Sequence, residues 1–120
     1  MGKFALSVCF VFSAVLGALA AVKPANDVND PTAAPSIVSD CDVDAGDTLS
    51  GYAWDCDAPV DVIAKWDDTG KHVNGSPVMG SSSSTDFDFV TTSNDNGRTF
   101  TITAFDGVGN DFSKQITVNN

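Results

Sequence analysis

From about Ile37 to the C-terminus, apolar and polar residues alternate with a period of two, the repeat of a strand whose successive side chains point to opposite faces. Val60, Val62, Ala64 and Trp66 fall on one face of a strand and Asp61, Ile63 and Lys65 on the other, before the turn-forming run Asp67-Asp68-Thr69-Gly70. Phe87 and Phe89 alternate with Asp86 and Asp88. Ser93 to Arg98 reads as a hairpin loop, after which Phe100, Ile102 and Ala104 oppose Thr99, Thr101 and Thr103. A second turn, Asp106-Gly107-Val108-Gly109-Asn110, leads into a last strand in which Phe112, Ile116 and Val118 continue the buried face. Further strands are expected near Ile37, Leu49 to Trp54 and Val78, with Ser81 to Ser84 at a loop tip. The pattern predicts an all-β fold, a small antiparallel β-sandwich of six or seven strands over residues 37–120.

The first part of the chain does not share this pattern. Residues 1–20 run MGKFALSVCFVFSAVLGALA, with Lys3, then an apolar stretch, then Ala18-Leu19-Ala20. That is the order of a secretory signal peptide cleaved after Ala20 or Ala21, and the apolar run is short of the ~20 residues that a membrane span needs. Residues 21–36, rich in Pro, Ala, Asn and Asp, are expected to form a flexible N-terminal arm or pro-segment. No later stretch is a membrane span, so the expected location is secreted and extracellular, without a membrane anchor.

Charge sharpens this picture. The sequence has 120 residues, 16 acidic and 6 basic groups and a net charge of −10; every acid is Asp. Asp favours turns and caps where Glu favours helices, so the acid set agrees with a strand-and-turn protein. A negative surface excludes a phosphate-backbone ligand, and no nucleic-acid partner is expected. Loss of the leader removes Cys9, and in an oxidising compartment Cys41 and Cys56 most simply form one disulfide, worth about 3 kcal/mol on a chain-entropy estimate.

Such a bridge requires the segment between the cysteines to fold back. It would bring Asp40, Asp42, Asp44, Asp47, Asp55 and Asp57 towards one end of the molecule. Carboxylates so gathered repel one another unless water or a cation relieves them, and calcium, a hard cation abundant outside cells, is the candidate metal. Asp40-x-Asp42-x-Asp44 begins like an EF-hand loop but has Ala45 and Gly51 where that loop needs Gly and Glu. The bland reading of the same residues is a solvated acidic loop.

Catalytic chemistry finds few residues. His72 is the single histidine and sits in a Gly70-Lys71-His72 turn; no nucleophile elbow, histidine-rich metal motif or phosphate loop is present, and no enzymatic activity is expected. Trp66 lies on the buried register of its strand, whereas Tyr52 and Trp54 are candidates for contact with a partner. Asn74-Gly75-Ser76 is a sequon, followed by Pro77, that makes Asn74 a candidate for N-glycosylation.

Arg98 to Asn110, with alternating Thr and apolar residues and then Ala104-Phe105-Asp106-Gly107-Val108-Gly109-Asn110, resembles the last two strands of immunoglobulin-like modules of the bacterial Ig and HYR type; Gln115-Ile116-Thr117-Val118 matches their closing strand. The resemblance covers about a quarter of the chain after the leader and implies an Ig-like β-sandwich, in that family mostly an adhesive or spacer domain. The Cys…Trp…Cys arrangement of antibody domains is missing. Phe100 to Gly107 also resembles the aromatic signature of βγ-crystallin motifs, although alternation sets Phe100 and Phe105 on opposite faces. The expected function is a small secreted, non-enzymatic, monomeric binding protein, effector-like or surface-interacting, with an extracellular protein or surface glycan as partner. The alternative is an extracellular calcium-binding β domain. No other cofactor is expected.

Overall fold

The computed structural model describes residues 32–120; the expected leader and most of the expected arm lie outside the described residues. Seven strands form two sheets: β1 (Ser36–Val38), β2 (Asp42–Asp44), β3 (Thr48–Trp54), β4 (Asp61–Trp66), β5 (Ser84–Val90), β6 (Thr99–Phe105) and β7 (Asp111–Asn119). Sheet A has the order β1-β3-β5 and sheet B the order β2-β7-β6-β4. All pairs are antiparallel except β2 with β7, where Val43 lies beside Val118. The chain passes from sheet A to sheet B between β1 and β2, so the first two described strands belong to different layers. This is the immunoglobulin-like sandwich.

Alternation is what builds the core. Leu49, Ala53, Phe87 and Phe89 point inward from sheet A, and Val62, Ala64, Trp66, Phe100, Ile102, Ala104, Ile116 and Val118 from sheet B; all are buried. The aromatic rings interlock across the layers. Phe87 stacks on Phe89 at 4.8 Å, Phe89 meets Phe100 edge-on at 6.3 Å, and Phe100 meets Trp66 edge-on at 5.3 Å. The inner faces of β3 and β6, which carry the inter-sheet disulfide in antibody domains, hold only apolar residues here.

Several expectations change. Asp42 to Asp44 is a strand, not part of a solvated acidic loop, and its one inward residue, Val43, is buried. Ser93 to Arg98 does not close a hairpin, because β5 pairs with β3 and β6 with β4 and β7. It carries the chain between sheets through a 3-10 turn at Ser93–Asp95, capped by Thr92 and Asp95. Val78 forms an isolated bridge with Val62 in place of a strand. Phe112 faces inward, opposite Ala104, yet is 44% exposed.

The segment around that bridge seals an edge. Val62 and Val78 exchange backbone hydrogen bonds of 2.9 and 2.8 Å, Val73 donates to Ala64 and Trp66 to Lys71, and the Ser76 hydroxyl accepts from the Ala64 amide. The same segment reaches sheet A, where Val90 donates to the Asn74 carbonyl at 3.0 Å. An open β4 would offer a row of unpaired amides to other chains; residues 71–78 occupy it.

Candidate functional site

Cys41 and Cys56 leave the β1–β3 ladder in opposite directions. Ser36 lies opposite Trp54 and Val38 opposite Tyr52, so Cys56 follows one end of the ladder and Cys41 the other. Strand geometry separates them by on the order of 20 Å, against the ~7 Å that a disulfide tolerates. No bridge joins Cys56 to Cys41. The fold-back expected from the sequence does not occur, because β3 runs straight from Thr48 to Trp54.

The expected six-Asp cluster is therefore divided. Asp42 accepts from the Asn119 side chain at 2.7 Å, and Asp44 and Asp47 close a turn against Thr91. Asp55 and Asp57 sit at the opposite end, where the Gly107 amide donates to the Asp57 carbonyl at 2.6 Å and draws in the β6–β7 turn. That turn supplies a further acidic residue, Asp106, whose sequence context is that of a turn. Asp106 Oδ1 accepts from the amides of Val108 and Asn110 at 3.0 and 2.8 Å. One carboxylate oxygen from each of Asp55, Asp57 and Asp106 falls within 4.8 Å of the others. Asp55 is fully buried and its Oδ1 accepts from the Asp57 amide at 2.7 Å. Asp57 Oδ2 is buried with no hydrogen-bond donor among the described residues. The available signal for Asp106 was the Asp-x-x-Gly-Asn corner itself, but only the fold brings it to Asp55 and Asp57.

The outer face of sheet A forms a second candidate. Tyr52 is 41% and Val38 46% exposed, and they lie side by side across β3 and β1, with Asp86 on the far side of Tyr52. Trp54 follows on the same face and is half-buried between Ser36 and Ser84. A shallow groove of about 300 Å³, lined by Val38, Ser39, Asp40, Ser50, Gly51 and Tyr52, opens where the chain turns from β1 towards β2. Gly51 is required there, since a Cβ would lie 2.4 Å from the Val38 carbonyl oxygen.

The outer face of sheet B is closed by its own polar contacts. Asp67 accepts from the hydroxyls of Thr99 and Thr101 and from Gln115, at 2.6, 2.7 and 3.0 Å. At the rim of the sandwich, beyond the start of β6, Arg98 lies 3.9 Å above the inward-facing Trp66 ring and pairs with Asp68 at 2.8 Å and Asp95 at 2.7 Å. Thr99 and Thr101, on the face of β6 that points away from the core, thus hold the chain's own carboxylate. Burial raises the pKa of Asp67 and of Asp95, but hydrogen bonds outweigh it. Thr99, Thr101 and Gln115 leave Asp67 below its usual range, and Thr92 and Arg98 do the same for Asp95. Asp68 is lowered by Arg98.

These shifts fix the sign of an acid response. Carboxylates with folded pKa values below the unfolded value of 3.8 contribute stability that is present above it and lost as pH falls through the folded values. The melting temperature of the wild type is expected to fall more steeply below pH 4 than that of Thr99→Val/Thr101→Val. Parallel acid curves would show that the Asp67 contacts contribute nothing.

His72 is exposed, its Nδ1 2.7 Å from the Ser76 hydroxyl, and Asn74 is exposed beside it. Among the described residues no helix is long and apolar enough to cross a membrane.

No family model and no curated protein matches this chain. Solved structures do. One is the N-terminal Ig1-2 module of the Drosophila receptor protein tyrosine phosphatase DLAR, 20% identical over 72% of this chain and 48% of that one, with a TM-score of 0.45. Another is a structure of the tandem Ig repeats of Dlar, 22% identical over 70% of this chain and 46% of that one, with a TM-score of 0.43. The chain thus matches about half the length of each two-repeat structure.

Proposed function

We propose that the protein is a secreted, monomeric binding module that acts without catalysis and engages an extracellular macromolecule through the outer face of sheet A. The observation that carries this reading is the row Val38–Tyr52–Asp86 beside the groove: large apolar and aromatic surface left open on a sheet whose other face is fully packed. Exposed aromatic side chains on a rigid strand give contact area at small entropic cost. The resemblance of the Arg98 to Val118 region to bacterial Ig and HYR-type modules, which are mostly adhesive or spacer domains, supports the same reading. Wild-type protein immobilised against extracellular extracts is expected to retain a partner that Tyr52→Thr/Trp54→Thr loses by at least about tenfold. Equal retention by the two would place the binding surface elsewhere.

A second reading, calcium binding, is favoured by the trio Asp55, Asp57 and Asp106. Oxygens that coordinate calcium at about 2.4 Å stand up to ~4.8 Å apart across the ion, the span these carboxylates show. A cation there would also meet the buried Oδ2 of Asp57. Asp40, Asp42, Asp44 and Asp47 have no part in this site. Calcium is expected to raise the melting temperature at millimolar concentration, by mass action, and Asp57→Asn to abolish the rise while Asp47→Asn keeps it. An unchanged melting temperature, or a rise that survives Asp57→Asn, would remove calcium from this account.

A further inference from the structure

Sheet B shows how this protein treats a cation. The Arg98 guanidinium carbon lies 3.9 Å from the centre of the Trp66 ring, and the group donates hydrogen bonds to Asp68 and Asp95. The outer face of sheet A carries the same kind of aromatic and carboxylate set. Tyr52 stands opposite Asp86 in register, Trp54 follows Tyr52, and Asp88 lies opposite Ser50. Asp40 forms part of the groove wall.

What differs is the cation. The charged residues of β1, β3 and β5 are Asp86 and Asp88 alone. Asp88 accepts from Ser50 at 2.5 Å, whereas the Asp86 side chain has no hydrogen bond or ion pair among the described residues. Lys114, whose charge acts on Asp40, is partly buried and donates its ammonium to the Ser39 carbonyl oxygen. The other described cations are Lys65 on β4, Lys71 in the segment that covers β4, and Arg98 just before β6, where it is paired with Asp68 and Asp95. One face of the sandwich thus presents aromatic rings and carboxylates whose charge the described residues leave largely unbalanced.

We propose that this face takes a Lys- or Arg-bearing segment of a partner protein, with the cation stacked on Tyr52 and paired with Asp86 and the aliphatic stem lying along Val38. The proposal rests on the reading of sheet A as the binding surface and names the chemistry of its partner. A cation over an aromatic face gains from the ring quadrupole, and the net charge of −10 steers a basic segment towards the protein. A neutral glycan would leave Asp86 without its counter-charge.

The test uses the whole protein and an acetylated, amidated Ala-Arg-Ala-Arg-Ala peptide, titrated at physiological ionic strength and followed by amide chemical shifts. Tyr52→Thr and Asp86→Asn are each expected to weaken binding by about fivefold or more, and Tyr52→Phe to keep it. Asp111→Asn, the same charge change on exposed β7, is expected to stay within about twofold. Tyr52→Leu, which preserves bulk, guards against a loss of fold and is expected to weaken binding as Tyr52→Thr does. Equal losses for Asp86→Asn and Asp111→Asn would reduce the effect to the overall field and overturn the proposal, as would no loss in Tyr52→Thr. A glucosamine oligomer that bound more tightly than the peptide, with the same dependence on Tyr52, would make the occupant an amino sugar. Tighter peptide binding by Lys23→Gln would make it the chain's own arm. If Tyr52→Thr/Trp54→Thr lost the partner from extracts while the peptide failed to bind wild type, the surface would stand and its cationic partner would fall.

Discussion

Phe100→Ala is expected to destabilise the domain by about 3–5 kcal/mol and to lower its melting temperature by ~15 °C or more. Phe100 is fully buried on β6 and joins the two layers, with its ring edge-on to Phe89 from sheet A and Trp66 from sheet B. Its removal leaves a cavity whose walls are backbone-anchored strands, so little collapse can refill it. Domains of this size are stable by only about 5–15 kcal/mol, so the loss consumes much of the margin. Thr101→Ala, one residue along on the opposite face, gives up a hydrogen bond to Asp67 and is expected to cost about 1 kcal/mol. Thermal melts of the two variants check the contrast; similar midpoints would mean that the ring cluster does not hold the layers together.

The second large effect is expected at Gly75, in the segment that seals the open side of the sandwich. Its φ is +105°, and a Cβ there would lie 2.2 Å from the Asp88 carbonyl oxygen. Gly75→Ala therefore meets both a disfavoured backbone region and a backbone atom that cannot move without breaking the β3–β5 ladder. The combined loss should be roughly 2–4 kcal/mol, from strain and overpacking together. Gly70 separates the two contributions, because its φ of +73° is also positive but nothing lies within 4 Å of an added Cβ. Gly70→Ala is expected to cost about 1 kcal/mol. Denaturant midpoints that fell equally in the two variants would show that strain alone acts at Gly75. Hydrogen exchange at the Val90 amide, which donates to Asn74, should accelerate only in Gly75→Ala.

The strands were legible in the sequence where one face is buried and the other wet. The alternations at Val60 to Trp66, Phe87 and Phe89, and Phe100 to Ala104 all reappear as inward-facing positions, because a period of two admits only one register against a packed layer. Pairing was not legible. Ser93 to Arg98 has the composition of a hairpin loop, but nothing local distinguishes a return to the same sheet from a crossing to the other one. Asp42-Val43-Asp44 escaped notice because a three-residue strand has a single apolar position and draws its order from β7, seventy-odd residues later. Tyr52 and Trp54, candidates for partner contact from their aromatic character alone, lie on the outer face of sheet A, Tyr52 exposed and Trp54 half-buried. The acidic cluster was misplaced, since it was derived from a Cys41–Cys56 bridge that β3, by running straight, does not allow. Asp106 joined Asp55 and Asp57 through a contact between two turns, and such contacts leave no periodic trace.

The parallel pair of β2 and β7 has a bearing on how the domain is made. Val43 cannot find its partner until Val118 exists, so a sheet that includes β2 closes only after nearly the whole domain has been synthesised. Contacts of such long sequence separation slow folding, and a ribosome-bound chain lacking β7 would expose the inner edge of β6 to its surroundings. The sealed side formed by residues 71–78 is, by contrast, available early, because β4 and its cover are neighbours in the chain. The order of synthesis therefore protects one side of sheet B from the start and leaves the other to the final strand.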